Sequence, residues 1–149
     1  TLVQVLAGLE SDAVVDVAEL LPAVVDWNRS YLQGLNGTAL DDSRVQLHVG
    51  DAAKLIQKAK PGTYDAVMLD LDNGPVAMVA SSNKNIYSKM GLLGVKRVLK
   101  PGGRAIFWSA STDAAFETRL MNAGFSVEAV PAKVHARAKR DSYILYVAE

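Results

Sequence analysis

The residues best placed to do chemistry in this chain are two carboxylates, Asp70 and Asp72, which follow the run Tyr64-Asp65-Ala66-Val67-Met68-Leu69. Four consecutive apolar residues without polar alternation suit a strand covered on both faces, as in a parallel sheet. The two acids then fall at its carboxyl end, the edge where ligands bind in open α/β sheets. Two more acids stand at corresponding places: Glu19 follows a strand pattern at 13–17, and Asp51 follows one at 44–49. In a parallel sheet all of them line one edge. A carboxylate there can accept both hydroxyls of a ribose, and a second can accept from an adenine amino group, each through charge-assisted hydrogen bonds. A third can orient a cationic amine or take its proton. Plain structural roles are open to two of them. Glu19 lies near a helix start, where the dipole favours acids, and Asp51 suits the N-cap of the next helix. No helix begins directly after Asp70 and Asp72.

The elements that must carry these acids alternate along the whole chain. Residues 1–9 show an amphipathic helix with Leu2, Val5, Leu6 and Leu9 on one face. Pro22 opens a helix predicted to reach Leu35, with Val24, Trp27, Tyr31 and Leu35 inward and Asn36-Gly37 ending it. A helix at 52–60 stops at Pro61-Gly62, and the strand at 65–69 follows. Residues 71–87 have no clean periodicity, and a loop of that length in a compact domain is often functional. Ser88 is the predicted N-cap of a helix to Leu99. Lys100-Pro101-Gly102-Gly103 reads as a tight turn into a strand at 104–108, and a helix at 113–123 closes at Gly124. Strands at 125–134 and 142–148 have no helix between them and so pair antiparallel. The expected fold class is α/β: a Rossmann-like, mostly parallel sheet with a C-terminal antiparallel hairpin, in a single domain spanning 1–149.

Bulk composition narrows the function classes. The chain has 149 residues, 50% of them hydrophobic, enough for a real core. Lys plus Arg equals Asp plus Glu at 16 each, so charge gives no case for nucleic acid or an anionic membrane as partner. There is no cysteine, which excludes disulfides and thiolate metal sites. His48 and His135 show no metal-ligand pairing, so no metal is expected and both read as structural. The basic stretch 135–140 reads as a solvated hairpin tip. No apolar stretch approaches the ~20 residues that span a bilayer, and the expected location is cytoplasmic. The chain opens inside a helix without an initiator Met, which leads to the expectation of an N-terminally truncated record lacking the first strand of the fold.

Val-Ala-Glu-Leu-Leu-Pro (17–22), Val-Gly-Asp-Ala (49–52), Tyr-Asp-Ala-Val-Met-Leu-Asp (64–70) and Leu-Lys-Pro-Gly-Gly (99–103) occur in that order. This order resembles the class I S-adenosylmethionine-dependent methyltransferase fold and, within it, the spermidine synthase (polyamine aminopropyltransferase) family and its spermidine synthase-like relatives. The resemblance implies that Glu19, with Leu20 beside it, holds the ribose hydroxyls. It implies that Asp51 accepts from the adenine amino group, with Ala52 next to the ring. Asp70 would be the catalytic acid that takes a proton from the attacking amine, with Asp72 as a second catalytic and substrate-binding acid. Asn73 and Tyr87 would also line the substrate site. The group donor would be S-adenosylmethionine or its decarboxylated form, the partner an amine-type acceptor, and a homodimer is compatible with the family. The synthases carry Asp-Ser-Ser-Asp-Pro where this chain has Asp70-Leu71-Asp72-Asn73-Gly74, so their second acid aligns with Asn73, or with Asp72 after a one-residue deletion. Two other functions share these features. One is a non-catalytic nucleotide-binding or dimerisation member of the same fold. The other is an NAD-binding domain, whose ribose also takes an acid after the second strand.

Overall fold

The computed structural model describes residues 2–71, 83–133 and 142–149. They divide into two compact units, one ending at Leu55 and one running from Ile56 to Glu149. The first holds α1 (Leu2–Ala7), β1 (Val15–Glu19), α2 (Pro22–Arg29), α3 (Gln33–Asn36), a single 3-10 turn at Ala39–Asp41 and β2 (Val45–Val49). Helix α4 (Ala52–Lys58) starts in the first unit and ends in the second. Strands β1 and β2 pair in parallel, with Val15 opposite Val45 and Glu19 opposite Val49. β1 begins two residues later than the pattern suggests, so Glu19 closes the strand instead of following it.

The helix expected to run from Pro22 to Leu35 is broken. α2 stops at Arg29, and only the short α3 follows. At the break the Ser30 hydroxyl donates to the Asp26 carbonyl oxygen at 2.6 Å, a local bond that competes with the backbone ladder. Most of the residues expected to face inward do not do so, and Trp27 is already outward in α2, before the break. Trp27, Tyr31 and Leu35 are 51%, 85% and 82% exposed, while Val25 is buried. Arg44 closes this unit. Its Nη1 donates to the carbonyl oxygens of Leu6 at 2.8 Å and Leu9 at 3.0 Å, binding the otherwise open C-terminal end of α1. Its other nitrogens donate to both carboxylate oxygens of Asp42 at 2.9 Å.

The second unit holds β3 (Tyr64–Leu69), α5 (Asn83–Ile86), α6 (Lys89–Val98), β4 (Leu99–Ser109), α7 (Ala114–Asn122), β5 (Val127–Ala132) and β6 (Tyr143–Ala148). Its sheet has the order β3-β4-β6-β5. β3 and β4 are parallel; β6 is antiparallel to both β4 and β5, so the second strand of the expected hairpin inserts between them. The predicted Lys100–Gly103 turn lies inside β4. Pairing jumps from Tyr64–Leu99 to Ala66–Arg104, and the surplus residues form a bulge with Gly102 at φ 77°, a left-handed value glycine adopts without strain.

One face of this sheet is the core. Ala105, Phe107, Tyr146 and Ala148 are fully buried, as are Phe116 and Leu120 of α7 and Leu92, Val95 and Val98 of α6. Phe107–Phe116 and Phe116–Tyr146 meet edge to face with centroids 5.3 Å apart. The expectation that β3 is covered on both faces fails. Among the described residues β3 pairs with β4 alone; Leu69 is buried but Met68 is 50% exposed. The Ser88 cap is as the sequence suggests: Ser88 accepts the Gly91 N–H at 3.1 Å. Asp113, expected as the first residue of its helix, is instead the N-cap of α7 and accepts the Phe116 N–H at 3.0 Å. Arg97 donates to the carbonyl oxygens of Ile56 at 2.9 Å and Ala59 at 2.8 Å, closing the end of α4 as Arg44 closes α1. Among the described residues no helix is long and apolar enough to cross a membrane.

Two predictions follow from the packing and the ion pair. A Cβ added at Gly91 would lie 2.0 Å from the Asn85 carbonyl oxygen and 2.4 Å from that of Ile86, both backbone atoms. Alanine is the better helix former by about 1 kcal/mol, yet Gly91→Ala will lower the melting temperature, because overpacking costs about 1–3 kcal/mol. Gly94→Ala, whose new methyl would meet only Ile56 at 3.7 Å, will leave it unchanged or raise it. The Arg44 hydrogen bonds hold the Asp42 carboxyl at about 2, below its ordinary 3.8. A carboxyl lowered on folding stabilises above its unfolded value and loses that contribution as pH falls through its folded one. Urea denaturation from pH 5 to pH 2 will show this loss between about pH 4 and pH 2, and Asp42→Asn will flatten that part of the profile.

Candidate active site

Parallel pairing brings the carboxyl ends of β1 and β2 together, and the Gly50 N–H donates to the Glu19 carbonyl oxygen at 2.8 Å. Glu19 and Asp51 therefore stand on one edge of the first unit. Both also have structural duties. Glu19 Oε1 accepts the Leu21 N–H at 2.8 Å, which shapes the turn through the half-exposed Leu20 into α2. Asp51 Oδ1 accepts the Ala53 N–H at 2.8 Å and caps α4, whose first residue is Ala52. Each carboxylate spends one oxygen on the backbone and retains a second. Glu19 also borders a cavity of about 200 Å³ in this unit, with Val17, Leu47, Asn28 and Asn36 among its walls.

In the second unit Asp70 sits one residue past β3 and is exposed. Asp72 and Asn73, expected to act beside it, lie outside the described residues. Tyr87 is buried, with its ring 5.5 Å from that of Phe116 and its hydroxyl 3.5 Å from the Leu71 carbonyl oxygen. It thus packs in the aromatic core and reaches the chain immediately after Asp70. At the end of β4 the buried Ser109 hydroxyl donates to the Ser111 carbonyl oxygen at 2.7 Å and turns the chain back. The Asp113 N–H donates to the Tyr146 hydroxyl at 2.6 Å, and burial raises the Tyr146 pKa above the ordinary tyrosine value. Trp108 packs on Tyr143 with ring centroids 4.9 Å apart.

The contacts of Tyr143 with Trp108 and of Tyr146 with Asp113 are not among the expectations from sequence. The period-two alternation of Tyr143-Ile144-Leu145-Tyr146-Val147-Ala148 puts the two tyrosines on opposite sheet faces, and that signal was available. His48, expected to be structural, meets Asp16 across β1 and β2, Nε2 to Oδ1 at 2.7 Å. His135 lies outside the described residues. Among the described residues no three His, Asp or Glu side chains gather as a metal site.

Residues 4–124, which contain Glu19, Asp51, Asp70 and Tyr87, match the profile of the spermine/spermidine synthase domain. The chain belongs to the spermine/spermidine synthase family. A spermine synthase of Arabidopsis thaliana is 34% identical over 90 residues, 60% of this chain and 23% of that protein. A polyamine aminopropyltransferase of Prochlorococcus marinus (strain NATL1A) is 27% identical over 106 residues, 71% of this chain and 35% of its own length. The chain thus spans between about a quarter and a third of these relatives. Among solved structures, human methyltransferase-like protein 13 in complex with SAH aligns with a TM-score of 0.66 at 19% identity, covering 91% of this chain and 60% of that one. A spermidine synthase in complex with the transition state analogue AdoDATO aligns at 0.63 and 15%, covering 91% and 45%. At such identities the two structures establish the Rossmann-like methyltransferase fold, in agreement with the α/β class read from the sequence.

The capping duty of Asp51 can be measured by substitution. Asp51→Ala removes the α4 cap and will cost about 1 kcal/mol of stability, whereas Asp51→Ser keeps a cap oxygen and will cost less. Chemical denaturation of both variants beside the parent protein checks the order.

Proposed function

We propose that residues 1–149 work as one transferase domain that moves an aminopropyl group from decarboxylated S-adenosylmethionine to an amine acceptor. The observation that carries this reading is the exposed Asp70 carboxylate at the carboxyl end of β3, inside the span that matches the spermine/spermidine synthase domain. Names of relatives support the reaction class: spermine synthase and polyamine aminopropyltransferase. The titles of solved neighbours support an adenosyl donor, since SAH and AdoDATO are the molecules named there.

The roles follow from the chemistry of each group. An ammonium has no lone pair to give, so the acceptor must first lose a proton, and Asp70 takes it. The freed amine nitrogen attacks the propyl carbon next to the sulfonium sulfur. The C–N bond forms as the C–S bond breaks, and the bond pair leaves with sulfur as a neutral thioether, methylthioadenosine. The displacement is direct, so positioning supplies most of the acceleration. The open oxygen of Glu19 accepts from the ribose, and that of Asp51 from the adenine amino group. Asp72, Asn73 and Tyr87 belong to the acceptor side of the same proposal.

Calorimetry of the intact protein with methylthioadenosine tests recognition apart from chemistry. Binding is expected, and Glu19→Gln will weaken it about 10- to 100-fold, as loss of charge-assisted hydrogen bonds predicts. Asp70→Asn will leave that affinity within about threefold while abolishing aminopropyl transfer to a diamine. No binding of methylthioadenosine, decarboxylated S-adenosylmethionine or S-adenosylmethionine itself would end the proposal. Methyl transfer from S-adenosylmethionine, with none from the decarboxylated form, would replace aminopropyl by methyl as the group moved.

A further inference from the structure

The last register pair of β3 and β4 is Leu69 with Phe107, both buried against the helices of the second unit. The next residues on the two strands are Asp70 and Trp108. Neighbouring strands run about 4.8 Å apart, and successive side chains alternate between faces. Continued by one residue, this register sets Asp70 beside Trp108 at the carboxyl edge, on the sheet face opposite the core. Neither is shut away: Asp70 is exposed and Trp108 half-buried.

The indole is held in place. Trp108 pairs with Leu145 of β6, and two residues along the same strand face Tyr143 packs on it, centroids 4.9 Å apart and planes tilted by 52°. A cavity of about 200 Å³ opens beside Tyr143, with Ala110, Ser111, Thr112 and Ser142 among its walls. A carboxylate alone attracts any cation, including strongly hydrated metal ions. An aromatic face next to it favours a cation that sheds water easily and carries apolar carbon, because the ring quadrupole attracts the charge and the ring carbons bury the methylenes. Tryptophan is the strongest ring for this.

We propose that Trp108, braced by Tyr143, is the aromatic wall of an organic-cation site whose counter-charge is Asp70. The inference rests on the reading that Asp70 meets the reacting amine, and it adds the residue that selects what kind of cation arrives there. Two cations share the chemistry: the alkylammonium of the acceptor and the sulfonium of the donor. Trp108 is a specificity residue for whichever of them lies on it.

Steady-state kinetics of the intact protein with 1,4-diaminobutane, together with calorimetry, separate the outcomes. Trp108→Ala is expected to raise the KM for the diamine about tenfold or more with kcat reduced less. Trp108→Phe is expected to recover most of the loss, and Tyr143→Ala, which removes the brace, to raise the KM in the same direction but by less. Affinity for neutral methylthioadenosine will stay within about threefold in all three variants. If the affinity for decarboxylated S-adenosylmethionine falls while the diamine KM does not, the sulfonium is the cation on the ring. Should Trp108→Ala unfold, Trp108→Phe and Trp108→Leu compared at equal melting temperature give the same contrast of aromatic against aliphatic wall. Equal KM and donor affinity for parent, Phe and Leu variants overturns the inference alone. Absence of transfer and of nucleotide binding in the parent protein overturns the proposed function instead.

Discussion

Much of the second unit depends on the parallel pairing of β3 with β4. Its register places Val67 and Leu69 beside Ala105 and Phe107, so both strands present their apolar alternates to one side. That side meets Phe116 and Leu120 of α7 and the apolar face of α6, and all of these are fully buried. Because side chains alternate with period two, a one-residue slip would move every core residue to the open face. The same register decides which residues emerge at the carboxyl edge: Asp70 and Trp108 are the ones that follow its last pair, Leu69 with Phe107. The bulge at Lys100–Gly103 absorbs a mismatch before the aligned segment begins. Gly103 sits so tightly there that a Cβ would lie 3.0 Å from the Asp65 carbonyl oxygen.

Helix ends in both units are closed by side chains distant in sequence. Arg44 donates to carbonyls at the end of α1, 38 and 35 residues away. Arg97 does the same for α4, 41 and 38 residues away. A guanidinium is suited to this because it spreads several donors in one plane and complements the negative end of a helix dipole. These short helices cannot stand on intrinsic propensity, since isolated helices below ~12 residues are marginal in water. Their stability is borrowed from such tertiary contacts.

That dependence explains what was legible in the sequence and what was not. Locally encoded features came through: the Ser88 and Asp113 ends of α6 and α7, the stop at Gly124, the antiparallel C-terminal pair, and the acids placed just at or after strands. Glu19, Asp51 and Asp70 are each where the hydrophobic pattern put them, within two residues. The helix from Pro22 reads as continuous in the sequence because Trp27, Tyr31 and Leu35 keep a four-residue spacing across the break at Ser30. Periodicity cannot see a serine hydroxyl turning back to the Asp26 carbonyl. The sequence of β3 suggests cover on both faces because an apolar run does not reveal which neighbours it will have. The Trp108–Tyr143 contact joins strands 35 residues apart, and only the register of β6 against β4 brings it about.

The acids at the edges also differ in a way that bears on their proposed work. Glu19 and Asp51 are each tied through one oxygen to a backbone N–H two residues on. A carboxylate held like this has already lost much of its rotamer freedom, so ordering it against a ligand costs less on binding. A capping role and the proposed binding role are therefore compatible in one side chain. Asp70 enters no such bond among the described residues and lies exposed beyond its strand. A group that must collect a proton and later release it to water gains from exposure, whereas a group that reads hydrogen-bond donors gains from being fixed. Under the proposed function, the acids tethered to the backbone would read the nucleoside and the exposed one would handle the proton.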